Sequence, residues 1–183
     1  NKMLYALLRV AKYMNQTKLR LIMKAFMSQF GYCPLILVWM FHSRKLNNKI
    51  NKIHERALRL VFDDFESTFD ELLIIDKSVC VHHRNLQVMV IEIFKLKNRA
   101  APGITETIFR EREIRYNLRV KNCFASNDIY KTKFGTETLA LRGPKIWTKV
   151  PADIKSPKSI SEFKKKIKTW TPIDCDCRLC KIY

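Results

Sequence analysis

The 183 residues carry a formal net charge of +18, and 47% of them are apolar. That apolar share excludes a disordered basic tail and predicts a packed core of one domain, or of one and a half small ones. The longest apolar run, Cys33 to Phe41, is about half the ~20 residues a membrane span needs and contains Pro34; Met3 to Val10 is too short for a signal peptide, so no membrane partner is expected. Self-repulsion at this charge is relieved where a phosphate backbone screens it, which makes RNA and DNA the expected partners.

The chain opens on Asn1 rather than Met, as expected of a piece cut from a longer protein, and its first carboxylate is Glu55. Ten cations precede that residue: Lys2, Arg9, Lys12, Lys18, Arg20, Lys24, Arg44, Lys45, Lys49 and Lys52. A metal site built on paired carboxylates therefore has no ligands in the first third of the sequence. Leu19, Ile22, Phe26 and Phe30 recur at helical spacing, with Lys18, Arg20 and Lys24 on other faces, until Gly31 and Pro34 break the pattern. A second amphipathic helix follows, with Ile50, Ile53, Ala57, Leu58 and Val61 inward and Lys49, Lys52, Arg56 and Arg59 outward. Asp63 and Asp64 end it, and a short helix containing Phe69, Leu72 and Leu73 starts at Ser67 or Thr68.

From His82 to Asn98 runs the most apolar helix, expected to be central, and Ala101-Pro102-Gly103 closes it. Between Arg110 and Gly143 the periodicity fades into loop or short strand, rich in cations that include Arg115, Arg119, Lys131 and Lys133. Gly143-Pro144-Lys145-Ile146-Trp147 reads as a turn into a short helix. The last helix carries Ser159 and Glu162 as an expected capping-box pair, an apolar stripe of Ile160, Phe163, Ile167 and Trp170, and Lys164, Lys165, Lys166 and Lys168 on the other face. The predicted fold is mainly α, with a small irregular or α+β basic segment before that C-terminal amphipathic helix.

Three motifs bear on chemistry. Val61-Phe62-Asp63-Asp64 has the aromatic one place too late for the aromatic-x-Asp-Asp turn of polymerases, and lacks an upstream third carboxylate; it reads as two acids at a helix end, with no catalytic residue. Cys175-x-Cys177-x-x-Cys180 offers three thiolates where tetrahedral zinc wants four ligands. It is either a zinc site completed by Cys123, His82, His83 or a partner chain, or a metal-free Cys-rich tail. His82-His83-Arg84 places adjacent rings about 100° apart on a helix, and reads as surface or capping groups rather than a site. Cys33, Cys80 and Cys123 stand singly, which fits a reduced intracellular compartment better than a disulfide scaffold. Aromatics beside cations at Trp39 to Lys45, Tyr130-Lys131 and Lys145-Ile146-Trp147 suit base stacking, although Trp39, Phe41 and Trp147 also read as core.

Several stretches occur together in order: Tyr32-Cys33-Pro34-Leu35, Trp39-Met40-Phe41-His42-Ser43-Arg44, Ile53-His54-Glu55-Arg56-Ala57-Leu58-Arg59, Val81-His82-His83-Arg84-Asn85-Leu86-Gln87, Arg115-Tyr116-Asn117-Leu118-Arg119, Gly135-Thr136-Glu137-Thr138, Gly143-Pro144-Lys145-Ile146-Trp147 and the cysteine cluster. This series resembles the region C-terminal to the palm in reverse transcriptases of non-LTR (LINE-like) retrotransposons. The resemblance implies a helical thumb-like region over 1–100, a basic C-terminal region over 101–171 ending in the Lys-rich helix, and a Cys-rich tail over 172–183. It implies a non-catalytic fragment of an RNA-directed DNA polymerase, whose Mg²⁺ ions and catalytic aspartates belong to a missing palm and whose partners include the rest of the parent polyprotein. The helix with Lys49, Lys52, Arg56 and Arg59 would face the duplex backbone, with Arg115, Arg119, Lys131, Lys145, Lys164, Lys165 and Lys168 adding phosphate contacts. Nuclear or nucleocytoplasmic localisation follows from the same resemblance, with Lys164-Lys165-Lys166 as an import candidate. Leu35-Ile36-Leu37-Val38 runs about two residues longer than the family pattern, as in a decayed copy. The alternative readings are a basic interaction or assembly module, docking a partner on the stripe of the last helix, and an inactive retroelement relic.

Overall fold

A computed structural model describes residues 2–31, 44–101, 103, 108–109, 124, 132 and 138–170. Among the described residues the chain forms eight helices and no strand, a mainly α fold. They are α1 (Lys2–Ala11), α2 (Gln16–Gly31), α3 (Arg44–Phe62), α4 (Phe69–Asp76), α5 (Val81–Lys97), α6 (Leu139–Lys149), α7 (Ala152–Lys155) and α8 (Ile160–Ile167). The helix expected over His82–Asn98 is α5. Most of the segment expected to be irregular or α+β, between Arg110 and Gly143, lies outside the described residues. The chain divides into two compact units, 1–85 and 86–183, and the division falls within α5.

In the first unit α1, α2 and α3 pack against one another and α4 packs on α3. Leu7 of α1, Leu19 and Met23 of α2, Ala57, Leu58 and Val61 of α3, and Leu72 and Leu73 of α4 form its core. Fully burying each of the leucine, valine and methionine side chains is worth about 1.5–3 kcal/mol. Local chemistry sets the helix boundaries. Asn15 Oδ1 accepts the Lys18 N–H at 3.0 Å and caps α2. Thr68 and Glu71 form a reciprocal capping box at the start of α4, where Glu71 Oε2 accepts the Thr68 N–H at 2.7 Å. The Thr68 backbone and hydroxyl hold the Glu71 carboxyl below its ordinary value. Asp63, Lys77 and Arg99 stand just past the ends of α3, α4 and α5 with φ of 52°, 52° and 53°, left-handed positions that usually fall to glycine.

The second unit is built on aromatic packing. Phe94 of α5 stacks on Phe163 of α8 with ring centroids 3.9 Å apart and planes 7° from parallel. Trp147 of α6 lies 6.4 Å from Phe163, and the Lys97 and Lys155 ammonium groups sit 5.6 and 5.2 Å from its ring centroid. Trp147 is therefore core, 5% exposed, with two cations and the Phe163 ring beside it. Gln87 Nε2 donates to the Trp170 carbonyl at 2.8 Å, tying the chain beyond α8 back to α5.

Three local expectations change. Gly143-Pro144 is the middle of a helix and not a turn before one: α6 starts at Leu139, where the Arg142 N–H bonds the Thr138 carbonyl at 2.9 Å. Proline costs the helix one hydrogen bond, offset here by burial of Gly143, Ile146 and Trp147. At α8, Ser159 is the N-cap but accepts the Ser161 N–H, while Glu162 lies 3.8 Å from Lys166 one turn on, so the expected capping box is not formed. The stripe on that helix is turned inward, with Phe163 and Ile167 fully buried and Trp170 8% exposed, so these three side chains belong to the unit's own core.

Candidate nucleic-acid interface

The helix α3 separates charge from core along its whole length. Asn47, His54, Ala57, Leu58 and Val61 are buried. At about 100° per residue, Lys45, Lys49, Lys52, Arg56 and Arg59 fall within an arc of about 80° on the opposite side. Their spacing of four, three, four and three residues makes a ridge about 21 Å long. Lys45, Lys49, Lys52 and Arg56 are exposed, while Arg59 is half-buried. The only acid in α3 is Glu55, whose Oε1 accepts Arg59 Nη2 at 2.9 Å. The other four ridge cations form no ion pair with a described carboxylate within 4.0 Å. Lys45 extends the ridge beyond the four residues singled out from the sequence; its position one helical turn before Lys49 was the available signal.

Such a ridge is suited to a polyanion backbone. Repulsion among cations one turn apart disfavours the isolated helix by a few tenths of a kcal/mol per pair, and a row of phosphates reverses the sign. Cations at its N-terminal end also oppose the helix dipole, which sharpens the local positive potential.

In the second unit Lys164 and Lys165 of α8 and Lys168, its C-cap, are exposed, and Lys145 is exposed on α6. Lys166 is occupied differently: its ammonium reaches back to the Asp153 carbonyl and the Ser156 hydroxyl at 3.4 and 3.3 Å. The α8 lysines form a shorter patch than the α3 ridge. Arg115, Arg119 and Lys131, together with Cys175, Cys177 and Cys180, lie outside the described residues. Among the described residues no cluster of three or more His, Cys, Asp or Glu side chains can hold a metal.

The remaining chemical motifs resolve into structural roles. Asp63 is the left-handed residue that ends α3. Asp64 Oδ1 accepts the backbone N–H groups of Glu66 and Ser67 at 3.1 and 2.9 Å, and the Ser67 hydroxyl and backbone hold its carboxyl below the usual range. His82 is buried, not a surface group, with its ring centroid 6.2 Å from that of His83. Burial pushes the free Cys80 thiol up despite backbone hydrogen bonds from His83 and His82, which makes it a poor nucleophile at neutral pH. Burial likewise lowers Arg84. No helix among the described residues is long and apolar enough to cross a membrane.

Comparison with known protein families, with curated proteins and with solved structures finds no match to this chain.

Proposed function

We propose that this chain binds the backbone of RNA and DNA without catalysing a reaction, as the thumb and C-terminal portion of a non-LTR retrotransposon reverse transcriptase. The basic ridge of α3 carries the binding half of that reading: five cations on one face of a helix whose other face is held in a core. The ordered series of sequence stretches supports the retroelement half. In this role the ridge grips phosphates and sets the register of a template–product duplex, while the parent's palm, with its aspartates and Mg²⁺, carries out RNA-directed DNA polymerisation. Lysine and arginine suit the task because they neutralise phosphate charge irrespective of base sequence. The rest of the polyprotein as partner and a nuclear or nucleocytoplasmic location belong to the same proposal, with Cys175, Cys177 and Cys180 either a zinc site or a metal-free Cys-rich tail.

The test is duplex affinity against salt. A binder of this kind loses affinity linearly in log–log form, with a slope of about −0.9 per phosphate neutralised. Replacing Lys49 and Lys52 together by glutamine should reduce the steepness by about two, with equal loss on unrelated duplex sequences. Salt-insensitive binding, or none, would overturn the reading and leave an assembly module or a relic.

A further inference from the structure

The ridge of α3 runs into an apolar groove. Arg56 and Arg59, its last two cations, also line a groove of about 380 Å³ shared with Tyr5 and Leu8 of α1, Leu60 of α3 and Phe65 just beyond it. That volume is at the small end of ligand pockets. Its walls are unusual for a small helical unit: Tyr5 is 69% exposed, Phe65 65% and Leu8 46%. Large apolar side chains grouped at the surface mark an interaction site more often than chance exposure. Arg56 and Arg59 bring two guanidinium groups to the groove, and Tyr5 a hydroxyl. Arg59 commits Nη2 to Glu55 and its Nη1 is buried, which leaves Arg56 as the exposed cation of the groove.

Resting on the backbone-binding reading, we propose that this groove takes an unpaired base from a nucleic-acid strand whose phosphates lie along the α3 ridge. A base has the required composition, with two flat apolar faces for Tyr5, Leu8 and Phe65 and a rim of acceptors for the arginines. The charge argues for the same occupant, because a strand lying on Lys45, Lys49, Lys52 and Arg56 arrives at the groove mouth with its next nucleotide. An apolar peptide would satisfy the walls and leave the cations unmatched. The ridge then holds backbone of any kind, and the groove adds a preference for single-stranded or frayed ends.

The test compares a short fluorescein-labelled oligouridylate, an abasic oligomer of the same length and a duplex, each bound to the full chain. Tyr5→Ala with Phe65→Ala should weaken oligouridylate binding by roughly ten-fold or more, the scale of losing one stacked base. Abasic and duplex binding should hold within about two-fold, and the salt slope should not change, because no phosphate contact is lost. Both side chains are exposed, so an unchanged melting curve is the expected control. Equal oligouridylate affinity in variant and wild type, or an equal loss on the abasic oligomer, would sink the base site while leaving the ridge intact. A wild-type chain that binds none of the three probes would instead remove the backbone reading on which it rests. If the wild type sediments as a dimer and the variant as a monomer, the groove is a self-association face and the base assignment fails.

Discussion

Arg20 Nε of α2 lies 2.5 Å from Asp76 Oδ1, the last residue of α4, and its Nη2 donates to the Asp76 backbone carbonyl. One guanidinium thus neutralises a carboxylate that is 1% exposed and satisfies a carbonyl left over at a helix C-terminus. Lys24, one turn further along α2, sits 3.6 Å from the same oxygen. An acid at a helix C-terminus opposes the dipole, and the two cations offset that cost.

The pair predicts an asymmetry between its two deletions. Arg20→Gln leaves a buried carboxylate with only the more distant Lys24, and should cost about 2–3 kcal/mol. Asp76→Asn leaves a cation whose side chain is 35% exposed and can rehydrate, so about 1 kcal/mol is expected. Urea denaturation followed by circular dichroism compares the two. Equal losses would mean that the buried carboxylate is solvated better than its exposure implies.

His54 makes stability depend on pH. Its ring is buried edge-on to Phe69, with centroids 5.6 Å apart, and Nδ1 has no hydrogen-bond partner. Burial lowers its pKa from 6.5 to about 4, with the Asp76 charge pulling the other way. Between those values the unfolded chain binds more protons than the folded one, so stability is intact above pH 6.5 and declines as pH falls toward 4. The expected loss between pH 7 and pH 5 is about 2 kcal/mol from this group. His54→Leu should flatten that part of the profile, measured by denaturant midpoints at the two pH values; an unchanged slope would assign the dependence to other groups.

The stripe of α8 offers a third prediction. Phe163 is fully buried and stacked on Phe94, so Phe163→Ala should cost about 3–5 kcal/mol through lost transfer energy and the cavity left behind. Tryptophan fluorescence during urea unfolding reports it through Trp147, whose ring centroid is 6.4 Å away. A loss under about 1 kcal/mol would show that α8 is loosely attached and free to dock elsewhere.

The helices α2 to α5 and α8 were legible in the sequence, as were the inward faces of α2 and α3, because both follow from local periodicity. Leu19, Ala57, Leu58 and Val61 were read as inward and are core. The ridge was legible too, since Lys49, Lys52, Arg56 and Arg59 repeat at the helical period. What escaped was tertiary. Arg20 and Asp76 are 56 residues apart, and nothing near Arg20 signals an acid. The base groove needs Tyr5, Arg56 and Phe65 together, and only the packing of α1 on α3 unites them. The inward turn of the α8 stripe was equally invisible, because an amphipathic helix reads the same whether it faces its own core or a partner. Pro144 misled for a different reason: proline marks a boundary on average, but a buried Gly143, Ile146 and Trp147 outweigh one lost hydrogen bond.

Gly143 supplies the last prediction. It is buried in the middle of α6, where helix propensity alone favours alanine by about 1 kcal/mol. A Cβ here, however, would fall inside van der Waals contact with the edge of the Phe109 ring and 3.5 Å from the Ile93 Cδ1. Phe109 is itself 5% exposed and lies 5.9 Å from Phe124, so its ring has little room to withdraw. Overpacking of this kind costs about 1–3 kcal/mol and outweighs the gain in propensity. Gly143→Ala should therefore destabilise the chain, and Gly143→Ala with Phe109→Leu should recover part of the loss. Thermal melts of the single and double variants decide the point: a stabilised single variant would mean that the Phe109 ring moves aside freely and that propensity governs this position.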